Sequence, residues 1–176
     1  MAIGSTVYKI SLNIADMDRH YYADHDLTIA RHPSETDLRL MVRIAAFALN
    51  ADERLAFTKG LCVEDEPELW QKDYGGDIEL WIELGQADEK RIRKACGRAE
   101  RVILYTYQEK SARDWWNANE KKLQRFKNLS VVLLNTGDIE TLAQRSMQLQ
   151  CNISDGELTL HDNRDQSVTV TQERWQ

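Results

Sequence analysis

Two glutamates on predicted neighbouring strands are the residues of this sequence whose types and spacing could do chemistry. In the stretch DIELWIELG, residues 77–85, the alternation predicts a strand in which Glu79, Trp81 and Glu83 share one face. Glu79 and Glu83 are about 13 Å apart along that face, at about 3.3 Å per residue, so they cannot share one small ion. A carboxylate partner for Glu83 must therefore come from another strand.

The dipeptide Gly75-Gly76 indicates where that partner lies. If these glycines form a two-residue hairpin turn, Glu68 faces Glu83 on the preceding strand. The same register makes two further pairs, which are Trp70 with Trp81 and Lys72 with Glu79. Directly opposed Cβ atoms are about 5 Å apart, and two carboxylates there repel each other unless a cation lies between them. Because oxygen-only ligands suit Mg²⁺ or Mn²⁺, this register predicts a divalent metal site.

The stretch DEPELWQKD, residues 65–73, leaves a second structure open. Asp65 could cap a short helix that has Pro67 in its first turn. In that helix Glu68 would not lie on a strand opposite Glu83, and the carboxylate pair would not form.

Alternating strands and helices must position these acids. The strands DIELWIELG, ERVILYTY and NLSVVLLN are separated by helical patterns at residues 88–99 and 111–127. This alternation predicts βαβ units with parallel strands and right-handed crossovers. A short strand, LAFTKGL, precedes them.

Hairpins are predicted at both ends of the chain. A strand with alternating apolar residues from Tyr8 to Ile14 is followed by a polar turn, which includes DHD at residues 24–26, and by a strand through Leu27 and Ile29. The tail MQLQCNISDGELTLHDNRDQSVTVTQ predicts two or three strands around an Asp-Gly turn. Between them, HPSETDLRLMVRIAAFALN is the best helix, with Ser34 as its N-cap and Asn50 at its end, and GDIETLAQRSM gives a short one. The prediction is a single α+β domain with a mixed sheet, spanning residues 1–176.

Composition favours a cytoplasmic protein without a membrane span. No apolar run approaches the roughly 20 residues that cross a bilayer, and the start of the chain lacks the pattern of a secretory signal. Cys62, Cys96 and Cys151 are far apart in no paired spacing, which argues against a zinc site or a disulfide framework.

The net charge of −6 is unevenly distributed along the chain. Residues 52–89 carry twelve acidic and three basic side chains, whereas residues 90–127 carry twelve basic and four acidic ones. The basic segment predicts a surface for a nucleic-acid backbone, and Trp115 or Trp116 could stack on a base. The alternative is that these bases are ordinary solvated helix residues and the tryptophans belong to the core.

Several stretches resemble the YaeQ family: RHPSETDLRLMVRIAAFAL, GLCVEDEPELW, IELWIELGQADEKRIRKAC and LYTY. The similarity runs over nearly the whole length, and WIELG followed by a DEKRIRKAC-like helix is a specific pattern. That family is similar in fold to the PD-(D/E)xK nucleases, the restriction-endonuclease-like superfamily. In that superfamily, acids on two adjacent strands hold Mg²⁺, a lysine follows the second acid by two residues, and an acid from the preceding helix often joins them.

Carried over to this sequence, the resemblance implies a metal site with one departure. Pro67-Glu68 resembles the first acidic element, Glu83 the second acid, and Glu35 the helical acid. The lysine position holds Gly85 instead. Either Lys94 or Lys90 on the following helix could supply the missing cation, and spacing does not select between them. The residues predicted for nucleic-acid contact come from the basic segment and its start, and they are Gln86, Lys90, Arg91, Lys121 and Lys122.

Two functions follow from these residues. The first is a Mg²⁺- or Mn²⁺-dependent nuclease that acts through Glu68 and Glu83, with Glu35 and Lys94 in support. The second is a catalytically inactive member of the fold that serves as a binding or adaptor module. The missing lysine favours the second, because losing one group that stabilises the developing charge can cost 10²–10³ in rate, roughly 3–4 kcal/mol.

Overall fold

The computed structural model describes residues 4–58 and 65–176 of the chain. Its elements in chain order are β1 (Thr6–Asp16), β2 (Tyr21–Arg31), α1 (Asp37–Leu49), β3 (Leu55–Phe57), β4 (Leu69–Lys72), β5 (Ile78–Leu84), α2 (Glu89–Arg98), β6 (Ala99–Thr106), α3 (Glu109–Leu123), β7 (Leu129–Asn135), β8 (Ser146–Ser154), β9 (Glu157–His161) and β10 (Ser167–Arg174). They fall into two compact units. Unit 1 contains the described residues of Met1–Asn50 with Thr136–Thr171, and unit 2 contains those of Ala51–Asn135 with Gln172–Gln176.

Unit 1 is a mixed sheet with one helix. Its strand order is β2-β1-β8-β9-β10, in which β1 pairs antiparallel with β2 and parallel with β8, and β9 pairs antiparallel with β8 and β10. The alternation in β1 is confirmed, because its apolar side chains from Tyr8 to Ile14 are buried and those between them are exposed. The turn at Asp155-Gly156 is also confirmed, with φ values of 53° and 76° that suit a tight hairpin.

The polar turn predicted around residues 24–26 is wrong, because these residues lie inside β2. Asp24 and Asp26 accept hydrogen bonds from Asn13 and Ser11 on the exposed face of β1, at 2.5 and 2.8 Å. On the other face, the His25 ring packs edge-on against Phe47 of α1, with ring centroids 5.1 Å apart. Paired polar side chains on both strands explain why a polar sequence continues the strand.

The N-cap of helix α1 lies two residues after the predicted one. Thr36, not Ser34, is the N-cap, and its side chain accepts a hydrogen bond from the Arg39 N–H at 3.1 Å. Ser34 instead bonds the His32 ring at 2.6 Å. The last residue of the helix is Leu49, and Asn50 is its C-cap, as predicted.

Unit 2 confirms the predicted βαβ units. Its strand order is β7-β6-β5-β4-β3, with β5, β6 and β7 parallel and β3, β4 and β5 antiparallel. Helices α2 and α3 pack on one face, where Trp81, Val102 and Leu104 meet Ile92 and Trp116. Strand β4 excludes the alternative of a helix at residues 65–73, and the end of the predicted strand LAFTKGL lies outside the described residues.

The predicted α+β class with mixed sheets is thus confirmed, and that it forms a single domain over residues 1–176 stays a prediction. The short helix predicted in GDIETLAQRSM is one 3₁₀ turn, Ile139–Leu142. In the part of the chain that the structure describes, no helix is both long enough and apolar enough to cross a membrane.

Candidate functional site at Glu68 and Glu83

The β4–β5 hairpin brings Glu68 close enough to Glu83 for the charge of Glu68 to raise the pKa of the Glu83 carboxyl. Trp70 pairs with Trp81, and their rings meet edge-on with centroids 6.4 Å apart. The next pair along the hairpin is Leu69 with Ile82, and the Glu68 N–H bonds the Ile82 carbonyl at 3.0 Å. Glu68 and Glu83, called here the acidic pair, are 8% and 4% exposed.

The turn that sets this register differs from the predicted one. Asp73 and Asp77 close a loop of three residues rather than two, since the Asp73 N–H bonds the Asp77 carbonyl at 2.9 Å. A bulge in β5 at Glu79 then restores the register, because Lys72 pairs with Ile78 while the residue before it pairs with Leu80. The two irregularities cancel, so Trp70 still pairs with Trp81 although the turn is one residue longer.

The predicted pair of Lys72 with Glu79 is wrong for the same reason. The bulge turns Glu79 toward Arg54 and Gln71, whose side-chain nitrogens lie 3.1 and 2.8 Å from its carboxylate oxygens. These two hydrogen bonds lower the pKa of the Glu79 carboxyl. The Lys72 ammonium lies instead over the Trp70 ring, 3.9 Å from its centroid.

Arg91 holds the Glu83 carboxylate from the first turn of α2. Its Nε donates to Oε2 and its Nη2 lies against Oε1, both at 2.9 Å, which is the bidentate geometry of a strong arginine–carboxylate pair. The Trp81 indole N–H also donates to Oε1, at 2.8 Å. Arg91 Nη2 donates in addition to the Glu66 carbonyl at 2.8 Å, so this side chain joins β5 to the segment before β4.

Burial raises the pKa of the Glu83 carboxyl, and the nearby charge of Glu68 raises it further. The hydrogen bonds and the charge of Arg91, with the hydrogen bond from Trp81, act in the opposite direction. The net pKa is above the ordinary value for glutamate. Glu83 is therefore an acid whose desolvation is only partly compensated by its cation.

Two more bases of α2 bind the segment before β4. Lys94 Nζ bonds the Asp65 carboxylate, and this contact lowers the pKa of Asp65. Arg98 donates to the Asp65 carbonyl at 2.7 Å and lies 5.2 Å from the centre of the Trp81 ring. Lys94, predicted as the catalytic lysine, is thus placed by the structure on Asp65, and its catalytic role stays a prediction.

Glu35 belongs to unit 1, where arginines enclose it. Its Oε1 accepts from Arg43 at 2.6 Å and its Oε2 accepts from Arg39 at 2.7 Å. Arg31 Nε donates to its backbone carbonyl at 2.8 Å. Glu35 is 4% exposed and anchors the start of α1, and its predicted role as a third metal ligand stays a prediction.

The Glu83 carboxylate is already paired within the protein, which leaves it less available to a divalent cation, and the Mg²⁺ or Mn²⁺ site stays a prediction. A hard cation takes six or more oxygen ligands, whereas both oxygens of Glu83 already accept hydrogen bonds from Arg91 or Trp81. Within residues 4–58 and 65–176, no group of three or more histidine, cysteine or acidic side chains has the geometry to hold a metal ion. The guanidinium of Arg91 supplies the positive charge that the sequence assigns to a metal.

Of the residues predicted for nucleic-acid contact, Arg91 binds Glu83, whereas the other four are exposed. Lys90, Lys121 and Lys122 are exposed on α2 and α3. Gln86 is exposed as well and donates to the Ser111 hydroxyl at 2.8 Å.

The two tryptophans of α3 contribute to the core of unit 2. Trp116 is 8% exposed and stacks on Trp175, with ring centroids 5.8 Å apart. Trp115 is half-buried and donates its indole N–H to the Ala87 carbonyl at 3.1 Å. The packing of Trp116 follows the alternative in which a tryptophan belongs to the core.

Comparisons with known proteins identify the family. The family model described as YaeQ protein matches residues 1–171. The Uncharacterized protein YaeQ of Escherichia coli (strain K12) is 46% identical over 179 residues, covering 100% of this chain and 98% of that protein. The crystal structure of the YaeQ protein from Xanthomonas axonopodis pv. citri superposes with a TM-score of 0.93 at 46% identity, covering 98% of both chains. The YaeQ protein from Pseudomonas syringae superposes with a TM-score of 0.90 at 34% identity, covering 98% of this chain and 96% of that one. The chain belongs to the YaeQ family.

Unit 2 of this YaeQ-family chain also has a basic cleft, which the sequence analysis did not predict. The cleft has a volume of about 590 Å³, and Arg101, Lys127 and Arg174 line it together with Tyr105 and Ser130. Arg174 Nη2 donates to the Ser130 hydroxyl at 3.2 Å. Arg101 and Lys127 belong to the predicted basic segment, whereas Arg174 lies at the end of β10. That end belongs to unit 2 and lies beside β7, which brings the three side chains to one cleft.

Two of the three thiols of this YaeQ-family chain lie in the part of the chain that the structure describes. Cys96 is half-buried in unit 2 and Cys151 is buried in unit 1, and neither forms a disulfide. Burial raises the pKa of Cys96 to about 11 and that of Cys151 to about 12, so both thiols stay protonated at neutral pH. Cys62 lies outside the described residues.

Proposed function

We propose that this chain binds the phosphate backbone of a nucleic acid through the basic cleft and does not cleave it. The observation that carries the proposal is the contrast between two groups of cations in unit 2. Arg91, Lys94 and Arg98 of α2 are engaged with acids and carbonyls of the chain itself. Arg101, Lys127 and Arg174 line the cleft, and among the described residues no side-chain carboxylate pairs with any of the three. Arg174 donates to the Ser130 hydroxyl at 3.2 Å and to the Gln176 oxygen at 3.0 Å.

The chemistry of the cleft suits a backbone rather than a small uncharged ligand. Its lining includes three basic side chains and no acidic one, and such groups contact phosphates without reading sequence. Tyr105 and Ser130 add hydroxyl groups that can bond phosphate or sugar oxygens. A chain with a net charge of −6 needs such a local concentration of positive charge to approach nucleic acid.

The state of Glu83 supports binding without cleavage. Arg91 and Trp81 hold its oxygens, and Gly85 occupies the position where the nuclease superfamily has its lysine. The likeness of this fold to the PD-(D/E)xK nucleases and a cytoplasmic location form part of the same proposal.

Fluorescence anisotropy with labelled single-stranded DNA, duplex DNA and RNA tests the binding. The double variant Arg101→Gln/Lys127→Gln is expected to weaken binding and to reduce the salt slope by about 0.7–0.9 for each phosphate that the protein no longer neutralises. The matched control is Lys121→Gln/Lys122→Gln, which removes two exposed charges from α3. If only the control variant binds nucleic acid more weakly, binding at the cleft is refuted and binding at the exposed surface of α3 is favoured.

A second candidate function is Mg²⁺- or Mn²⁺-dependent phosphodiester hydrolysis. The burial of both acids and the effect of the Glu68 charge on Glu83 favour it, and the resemblance implies supporting roles for Glu35 and Lys94. Incubation of the three nucleic acids with either metal and with wild-type or Glu83→Gln protein separates the two candidates. Cleavage by the wild type that is abolished in Glu83→Gln would establish the second candidate and overturn the first.

A further inference from the structure

A cavity lies at the carboxyl ends of β5 and β6, away from the residues that line the basic cleft. This strand-end cavity belongs to unit 2 and has a volume of about 310 Å³. Its lining residues are Gly85, Gln86, Thr106, Tyr107, Gln108 and Ser111. Strands β5 and β6 are parallel neighbours, and in α/β sheets the carboxyl edge of such strands is where ligands bind.

Helix α3 begins at this cavity without a side-chain cap. Gln108 is its N-cap residue and makes no side-chain hydrogen bond to the first turn. The first bond of the helix runs from the Ala112 N–H to the Gln108 carbonyl at 2.8 Å, so the N–H groups of residues 109–111 precede the helical ladder. With 15 residues, α3 is long enough for its dipole to favour a negative charge at this end.

An independent observation is the hydroxyl of Thr106. Thr106 is 1% exposed, lines the strand-end cavity, and has no hydrogen-bond partner for its Oγ1 among the described residues. Buried hydroxyls are nearly always bonded, so one that is not calls for an acceptor that is absent from the protein itself. A ligand oxygen in the cavity is such an acceptor.

The remaining side chains of the cavity are neutral donors. The Gln86 amide uses one N–H on the Ser111 hydroxyl at 2.8 Å and has a second N–H available by its chemistry. The hydroxyl of Ser111 lies 3.2 Å from the Gln108 carbonyl. Gly85 has a φ of 95°, and a Cβ placed on it would meet no atom within 4 Å, so the cavity is open beside the backbone.

We propose that the strand-end cavity binds a single oxyanion of the phosphate class, held by the Thr106 hydroxyl, the Gln86 amide and the first N–H groups of α3. The nearest acid of the helix, Glu109, is exposed and paired with Arg113 at 3.0 Å, which limits its repulsion of the anion. The site takes one anion rather than a polymer backbone, and it does not depend on the basic cleft or on the proposed function.

Isothermal titration with inorganic phosphate and with uridine monophosphate tests the site. We expect the wild type to bind at least one of them and Thr106→Val, which removes the hydroxyl but keeps the shape, to bind it at least tenfold more weakly. Binding of inorganic phosphate indicates a free anion, and binding of the nucleotide alone indicates a phosphomonoester. The control is Thr136→Val, a buried threonine of unit 1, which is expected to bind like the wild type.

Thermal unfolding without ligand keeps the test independent of folding defects. Because the valine no longer buries an unbonded hydroxyl, Thr106→Val is expected to melt at or above the temperature of the wild type. The probe that binds is expected to raise the melting temperature of the wild type and of Thr136→Val, but not that of Thr106→Val. Absence of binding of both probes to the wild type, or equal binding by Thr106→Val, would overturn the proposal.

Discussion

Replacing Arg91 with glutamine removes the cation that faces the buried carboxylate of Glu83. The arginine makes two contacts of 2.9 Å with that carboxylate and one of 2.8 Å with the Glu66 carbonyl. The Glu83 side chain is 5% exposed, whereas that of Arg91 is 31% exposed. Removing one partner of a buried pair costs about 3–5 kcal/mol, and the partial access of water to Arg91 favours the lower end, about 3 kcal/mol.

Urea unfolding at neutral pH measures this destabilisation. With a slope of about 2 kcal/mol per molar urea, a destabilisation of about 3 kcal/mol lowers the midpoint by about 1.5 M. The control is Arg93→Gln on the same helix, whose ion pair with Glu89 is 3.7 Å long and whose side chain is 58% exposed, so its midpoint is expected to change little. Adding Glu83→Gln to Arg91→Gln is expected to restore much of the stability, since no buried charge then remains unpaired.

The pH dependence of the same variant has a definite sign. Removal of Arg91 also removes the interactions that lower the pKa of Glu83, so its pKa in the folded state rises further above the unfolded value. A raised pKa contributes stability below the unfolded value, about 4.3, and that stability is lost as the pH rises through the folded value. The deficit of Arg91→Gln is therefore expected to be largest near pH 7 and to shrink toward pH 4. A midpoint equal to that of Arg93→Gln at every pH would refute the reasoning.

Three further predictions concern stability and are checked by urea or thermal unfolding. Glu35→Gln is expected to cost about 3 kcal/mol, because it leaves the buried Arg43 guanidinium without its carboxylate, and a cost near zero would contradict that pairing. Trp116→Ala is expected to cost about 3–5 kcal/mol through the cavity it opens beside Trp175, and a smaller cost would argue against its place in the core. Gly76→Ala is expected to cost about 1–2 kcal/mol of stability, because the φ of Gly76 in the hairpin turn is 92°. Gly97→Ala in α2 is expected to stabilise the protein by about 0.5–1 kcal/mol, because a Cβ at that position meets no atom within 4 Å.

The position of the acidic pair could be predicted from the sequence, but not the path by which the chain reaches it. Side-chain alternation and the paired tryptophans fix which residues of β4 and β5 are opposed, since a slip by one residue would turn every side chain to the other face. The loop of three residues and the bulge at Glu79 cancel each other in the register. The alternation of residues around Glu79 does not indicate that Arg54, which is distant in the sequence, binds it.

The partner of Glu83 could not be predicted because it depends on the crossover from β5 to α2. The sequence places Arg91 early in a basic helix, and that pattern does not distinguish a solvated base from one turned back onto the preceding strand. Lys94 and Arg98 follow Arg91 at helical spacing. Both of them bind Asp65, whereas Arg91 binds Glu83 and the Glu66 carbonyl. The basic cleft was missed for a related reason, since Arg174 reaches it from the far end of the sequence.

Titration of Mn²⁺ into the wild type, Glu83→Gln and Arg91→Gln tests most directly whether Arg91 takes the place of a metal at Glu68 and Glu83. We expect the same isotherm for the wild type and Glu83→Gln, and a gain of Mn²⁺ binding in Arg91→Gln, where the guanidinium no longer holds the carboxylate. Mn²⁺ binding by the wild type that is abolished in Glu83→Gln would show instead that the two acids hold a metal.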